Sequence, residues 1–138
     1  MIEIAPTGDR QACYALRHTV FVQEQGYSAE GEVDAFDPLS HHLLAREDGI
    51  PIATARIHIA GDGARIGRVC VLMQRRGIGL GADLVNAAVA LAAQQGATRV
   101  SLGAQVHATG FYEKLGFTAT GAPYDDEGEP HQTMERIL

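Results

Sequence analysis

Apolar and polar positions along this chain fall into blocks that predict seven strands and three helices. Residues 2–5 form a short apolar stretch that predicts a strand. Asp9 suits a helix cap, and Ala12, Leu16 and Val20 (or Phe21) follow it at helical spacing. Residues 26–38 are polar, contain glycine and show no clear period, so they predict a loop or broken helix. Residues 42–45, 50–59 and 66–72 are apolar runs separated by Glu47-Asp48-Gly49 and Gly61-Asp62-Gly63, and predict a three-strand antiparallel meander with short turns. After Arg75-Arg76-Gly77-Ile78-Gly79-Leu80-Gly81 comes a helix marked by Leu80, Leu84, Ala87 or Ala88, and Leu91, with Gln95-Gly96 as its stop. Residues 99–102 predict a strand, 107–115 a short helix closed by Gly116, and 117–120 and 131–138 the last strands. The order β-α-loop-β-β-β-α-β-α-β-β describes one mixed α/β domain over residues 1–138.

Composition removes several function classes. The chain has 138 residues, 46% hydrophobic and 20% charged, which is globular rather than disordered. A net charge of −6 opposes nucleic-acid binding by bulk charge, and the absence of tryptophan leaves no evident base-stacking platform. No run of about 18 apolar residues predicts a membrane span. The opening residues lack the basic start and apolar middle of a secretory signal. Cys13 and Cys70 have no metal-ligand spacing and read as reduced, buried thiols, so no metal is expected and the expected compartment is the cytoplasm.

The charges are unevenly placed. Glu24, Glu30, Glu32, Asp34 and Asp37 share one stretch without a base, and Asp125, Asp126, Glu127 and Glu129 form another. Arg65, Arg68, Arg75 and Arg76 cluster before the glycine-rich turn. Solvated loops would explain the acids. A sharper reading is one anion-binding corner for a phosphorylated cofactor and one acidic mouth for a cationic substrate.

The glycine-rich turn carries the most local information. A helix N-terminus offers unpaired N–H groups and a positive dipole end, and glycines let a phosphate approach the backbone. A Walker A loop needs Gly-Lys-Ser/Thr, which is absent. A dinucleotide fingerprint meets Ala82 or Leu84 at its third glycine and lacks the acid after the following strand. That disfavours a nucleotide-dependent oxidoreductase.

The sequence resembles the GNAT superfamily of coenzyme A-dependent N-acyltransferases, within it the ElaA-like branch. The superfamily's Arg/Gln-x-x-Gly-x-Gly/Ala motif fits as Arg76-x-x-Gly79-x-Gly81 or as Gln74-x-x-Gly77-x-Gly79, and the first register suits its distance from Val69-Cys70-Val71. Phe111-Tyr112-Glu113-Lys114-Leu115-Gly116-Phe117 matches the family's tyrosine motif. Arg17-His18-Thr19-Val20-Phe21-Val22-Gln23-Glu24-Gln25, then Ala104-Gln105-Val106-His107, and finally Gly128-Glu129-Pro130-His131 with Met134 resemble the branch, Glu129 replacing an apolar residue. Many superfamily members carry asparagine at the place of Gln105; in this branch glutamine is the expected residue.

The resemblance implies a mostly antiparallel sheet of six or seven strands, flanked by helices and splayed between the fourth and fifth strands. It implies acetyl transfer from acetyl-coenzyme A to a primary amine by direct attack. Backbone N–H groups of Arg76, Gly77, Ile78, Gly79, Leu80 and Gly81 would hold the pyrophosphate. Val69, Cys70 and Val71 would pair with the pantetheine arm, with Gln105 nearby. The Val71 N–H would donate to the thioester oxygen and the Tyr112 hydroxyl would protonate the leaving thiolate.

The acceptor side is less determined. An alkyl ammonium must lose its proton, at a cost of about 4–5 kcal/mol at pH 7. Glu24, Glu32, His42, His107 and His131 are the candidate bases, directly or through water. Phe21, Glu24, Glu32, Asp34, His42, Arg56 and His107 are the candidate acceptor-binding residues; Arg17 and Arg56 could instead pair with the acidic stretch. Cys70 as a nucleophile lacks an activating base, which favours packing. The expected partner is a small-molecule or peptide amine, with a homodimer as the superfamily's expectation. The competing reading is a coenzyme A-binding regulatory module without catalysis on the same fold.

Overall fold

The computed structural model describes residues 1–138. Strand β1 (Ile2–Pro6) leads to helix α1 (Arg10–Arg17), whose first turn is capped by the Asp9 carboxylate accepting from the Ala12 N–H. The helix continues as a π-helical segment, His18–Glu24. Residues 26–38, expected as a loop or broken helix, contain a four-residue helix α2 (Ala29–Glu32) and a single 3-10 turn, Asp37–Leu39. The meander is β2 (His41–Glu47), β3 (Ile50–Ala60) and β4 (Gly63–Val71). Asp48 and Gly49 both take positive φ, 50° and 85°, as a tight hairpin between right-twisted strands requires. Helix α3 (Leu80–Gln94), β5 (Arg99–Gln105), α4 (Thr109–Lys114), β6 (Thr118–Ala119), β7 (Tyr124–Asp126) and β8 (Glu129–Ile137) complete the chain.

The strands form one sheet in the order β1-β2-β3-β4-β5-β8-β6, with β7 also on β8, and only β4 and β5 run parallel. There are therefore eight strands rather than six or seven. The added one, β7, pairs with the start of β8 through a Glu127-Gly128 turn in which both residues have positive φ.

Both faces of β2 are covered, which explains its unbroken apolar run. Leu43 and Ala45 face the main core under α3, where Leu84, Val85, Ala88 and Ala92 meet Ile57, Ile66 and Leu102. Leu44 faces a smaller core under α1 with Cys13, Leu16, Val20 and Cys70.

Strand β4 changes faces midway. Ala64 and Ile66 belong to the α3 core, yet Cys70, of the same parity, belongs to the α1 core, while Val69 and Val71 pack on the α3 side. The register shows why: Arg56 pairs with Gly67 but Thr54 pairs with Cys70, so β4 carries one extra residue, and Arg68 sits at φ 53°. A one-residue bulge reverses the side-chain alternation and bends the strand. Parallel pairing with β5 stops just before it, at Ile66 with Leu102. Beyond that point the two strands separate into a cleft, the splay between fourth and fifth strands.

The acidic stretch 30–37 is not a free surface. Arg17, 1% exposed, donates from Nε to the Glu32 carboxylate at 2.9 Å, from Nη1 to Asp37 Oδ1 at 2.7 Å and from Nη2 to the Glu32 carbonyl at 2.7 Å. Arg56 reaches Asp34 at 2.7 Å, and Arg68 reaches Glu32 at 2.8 Å and Asp34 at 3.3 Å. Three carboxylates are neutralised by three arginines from α1, β3 and β4. Burial alone would raise the Asp37 carboxyl, but hydrogen bonds from Arg17 and the Asp34 N–H hold it well below the usual carboxylate range.

Arg17→Met should remove the guanidinium that two buried carboxylates, Glu32 and Asp37, share, and cost about 3–5 kcal/mol in urea unfolding at neutral pH. A carboxyl with a depressed folded value stabilises fully above its unfolded value, about 3.9, and loses that contribution as pH falls. The gap between wild type and Arg17→Met should therefore narrow below about pH 4.

Candidate active site

The splay opens into a cavity of about 950 Å³ that reaches from the start of α3 to β7. Its floor is the freed edge of β4. The Leu72 N–H donates to the Ile52 carbonyl at 3.0 Å, and successive residues of a strand turn their amides to opposite edges. Val71 therefore presents its N–H and C=O away from β3, into the cleft. The Arg76 Nε donates to that carbonyl at 3.0 Å, which leaves the Val71 N–H as the free group.

The glycine-rich turn stands at one end. Gly77 and Gly79 have φ of 85° and 82°, a region closed to most side chains, and Gly79 caps α3 with no side-chain cap bond. The first intrahelical donor is Asp83 to the Gly79 carbonyl, so the N–H groups of Leu80, Gly81 and Ala82 lack helical acceptors. Gly77, Gly79, Leu80 and Gly81 line the cavity. Ile78 does not line it and is 60% exposed.

The Arg76 backbone N–H, expected to hold the pyrophosphate, donates instead to the Met73 carbonyl at 3.3 Å, and its side chain is occupied as well. Its guanidinium grips Glu24 with both nitrogens, at 2.6 and 2.8 Å, which holds the Glu24 carboxyl below its ordinary value. An anion at this corner would meet the backbone amides first. The same pair makes Glu24 a poor proton acceptor and leaves it beside the cavity rather than lining it.

On the opposite wall, α4 presents Tyr112, whose ring packs edge-on against Phe111 and Phe117 at 5.0 and 6.0 Å. Burial pushes its phenol up to about 12, so the hydroxyl keeps its proton at physiological pH. Cys70 touches the cavity, but desolvation pushes its thiol up to about 12 as well, which suits packing and not nucleophilic attack. Gln105 spans the mouth: its Nε2 donates to Gln25 at 3.1 Å and to the Tyr27 hydroxyl at 3.3 Å. Phe21 meets Tyr27 edge-on and also lines the cleft.

The histidines separate clearly. His131, on β8 opposite Gln105, lines the cavity. Its Nδ1 lies 2.8 Å from the Glu129 carbonyl, which can only accept, so Nδ1 carries the hydrogen and neutral His131 keeps its lone pair on Nε2. His42 is 4% exposed, donates from Nε2 to the Asp37 carbonyl at 2.9 Å and does not reach the cavity. It supports the ion network from beneath, and the expectation that it binds acceptor is corrected. His107 is largely exposed on the rim, 3.8 Å from Glu129, and does not line the cavity.

Glu32, Asp34 and Arg56 do line it, but the Glu32 carboxylate is already shared by Arg17 and Arg68 and Asp34 is paired with Arg56, so the three do not form an acidic mouth. Asp126 and Glu127, on and after β7, supply the acidic rim instead. Tyr124 was not singled out from the sequence. Its ring stacks on His131 at 5.6 Å, 29° from parallel. The signal that could have found it is the Glu127-Gly128 hairpin turn, which makes the flanking residues strand and turns Tyr124 to the same side as its partner His131.

The chain matches the acetyltransferase (GNAT) domain family over residues 4–138. It is 36% identical to a candidate N-acetyltransferase from Lactobacillus plantarum, with a TM-score of 0.92 over 99% of this chain and 98% of that one. Escherichia coli ElaA is 30% identical in its crystal structure, with a TM-score of 0.88 and 99% of each chain covered. A GNAT acetyltransferase from Elizabethkingia anophelis, solved with acetyl-CoA bound, shares the fold at 19% identity, a TM-score of 0.78 and coverage of 99% and 98%. No helix is long and apolar enough to cross a membrane. With the family matched along nearly its whole length, the chain belongs to the GNAT acetyltransferases and is a transferase of acyl groups.

Proposed function

We propose that this chain transfers an acetyl group from acetyl-coenzyme A to a primary amine, by direct attack while both substrates are bound. The observation that carries the reading is the meeting, in one cleft, of the free Val71 amide edge, the unpaired amides that open α3 and the buried phenol of Tyr112. The diphosphate would lie on the N–H groups of Leu80, Gly81 and Ala82, with the glycines admitting it. The amide-rich pantetheine arm would pair along Val69–Val71 like an added strand, where β5 has left that edge unpaired.

The chemistry then follows from placement. The amine nitrogen attacks the thioester carbon, and the oxygen gains negative charge, which the Val71 N–H stabilises. One such donor is worth about 3 kcal/mol. The carbon–sulfur bond breaks, and the thiolate takes its proton from the Tyr112 hydroxyl. His131 Nε2 takes the proton that the amine loses, because its Nδ1–H is already committed to Glu129. Asp126 and Glu127 attract the acceptor as its ammonium ion. A protein that merely held coenzyme A would have no use for a phenol kept protonated in the cleft. The reading places the reaction in the cytoplasm, where two free buried thiols are at home.

Thiol release from acetyl-coenzyme A with a panel of amines tests the whole assignment; release without dependence on amine would refute it. Tyr112→Phe should lower kcat by about 10-fold to 100-fold with little change in KM for acetyl-coenzyme A. The hydroxyl has no hydrogen-bond partner in the protein, so the variant should melt with the wild type. Because the phenol titrates at about 12, the wild-type rate should show no alkaline decline through pH 10, where an ordinary tyrosine would already be half ionised. His131→Gln should lower kcat/KM for the amine by about 100-fold and make the residual rate climb further with pH, since only amine already deprotonated in solution can then react.

A further inference from the structure

Five arginines line the cleft: Arg56, Arg65, Arg68, Arg75 and Arg76. Four are paired with carboxylates, namely Asp34, Glu32, Glu47 and Glu24 in turn. Arg65 alone has no carboxylate oxygen within 4.0 Å and donates no hydrogen bond. In a protein of net charge −6, a cation facing a cavity with no partner is a specific feature rather than an average one.

A second polar group converges on the same point. A Cβ built on Gly103 would lie 3.2 Å from Arg65 Nη2 and 2.2 Å from the Tyr124 hydroxyl. The two donors therefore stand over one glycine, within about 5.4 Å of each other by geometry, and the missing side chain is what lets them in. The Tyr124 hydroxyl, like Arg65, makes no hydrogen bond within the protein, while its ring lies on His131. The acids Asp126 and Glu127 line the same cleft, on and just after the strand that carries Tyr124. Glu135, which faces the same side of the sheet, borders a neighbouring hollow with Arg65 but is not ion-paired to it.

We propose that Arg65 and the Tyr124 hydroxyl form a carboxylate subsite over Gly103, so that the acceptor is an amine that also carries a carboxylate. This rests on the acyl-transfer reading and adds the class of acceptor to it. The ammonium end meets Asp126, Glu127 and the His131 lone pair. The anionic end takes the guanidinium fork and one hydroxyl, a donor set that fits the two oxygens of a carboxylate. Tyr124 joins both ends, since the residue that donates at the subsite also packs against the base.

The test reads binding of the acylated products, which does not depend on turnover. Coenzyme A-loaded protein is titrated by calorimetry with N-acetylglycine, N-acetyl-β-alanine and N-acetyl-γ-aminobutyrate, each beside its carboxamide. At least one acid should bind about 10-fold more tightly than its amide, the low end for a charge-assisted bond at an exposed arginine. Arg65→Gln should erase that difference by weakening the acid alone, Arg65→Lys should keep part of it, and Tyr124→Phe should reduce it several-fold. Arg65 is exposed, so its variants should keep the wild-type melting temperature. Equal binding of acids and amides overturns the subsite, as does an Arg65→Gln variant that weakens both alike. Tighter binding of the matching phosphonates overturns the carboxylate assignment. Thiol release is scored separately: acids held through Arg65 without transfer to any amine would sink the acyl-transfer reading and leave the subsite standing. Transfer to amines regardless of a carboxylate would do the reverse.

Discussion

A non-glycine residue held at positive φ inside a strand costs about 1–3 kcal/mol, so Arg68 at φ 53° has to be held there by its surroundings. Its side chain shows what does the holding: the guanidinium bonds the Glu32 carboxylate and carbonyl, the Gly31 carbonyl and Asp34. Glu32 is in turn fixed by the buried Arg17. The extra residue in β4 is thus tied, through one carboxylate, to α1. From that bulge follow the change of faces between Ile66 and Cys70, the end of pairing with β5 and the unpaired edge at Val71. The cleft is a consequence of a strained residue, and an ion network along its own wall keeps the strain in place.

That network also decides what kind of electrostatics the cleft can have. Seen as sequence, the stretch from Glu24 to Asp37 is a solid block of negative charge. In the fold nearly all of it is spent: Glu24 on Arg76, Glu32 and Asp37 on Arg17, Asp34 on Arg56. Buried pairs of this kind add little net stability against apolar packing, but they fix geometry, and breaking one is costly. The charges still able to act on a ligand are few. Asp126 and Glu127 remain at the rim, Arg65 remains on the sheet, and the amide dipoles remain at the start of α3. The free groups have opposite signs at different places, so the cleft does not present a single sign of charge.

Much of the fold was legible because it rests on local rules. Apolar runs and turn residues locate the β2–β3–β4 meander, and Asp48-Gly49 marks its hairpin; alanine-filled helical spacing locates α3, and Gly96 ends it. The glycine-rich corner that opens α3 is equally local, since glycines and a helix start are neighbours in sequence. What stayed hidden is long-range. Val69-Cys70-Val71 is apolar at every position, so nothing in it shows that the strand has changed faces. His42 reads as a free imidazole until Asp37 comes over it, and Arg76 reads as a phosphate ligand until Glu24, 52 positions earlier, takes it. The β7 hairpin was missed for another reason: its acids suggest solvent, while its turn chemistry, not its hydropathy, is what makes it a strand.

The two halves of the cleft use different materials, and this bears on what can vary. The end at α3 presents backbone: the Val71 edge and the amides that begin α3. A backbone amide does not depend on the side chain that carries it, so this half tolerates substitution as long as the bulge and the two positive-φ glycines persist. The end at β7 and β8 presents side chains, His131, Tyr124, Arg65 and the rim acids, set on β8, β7 and β4 around a bare Gly103. Under the proposed function, exchanging any of these alters what the cleft recognises. Family membership, under the proposed function, speaks to the backbone half, the donor and its thioester, and leaves the acceptor to a handful of side chains that a shared fold leaves free to differ.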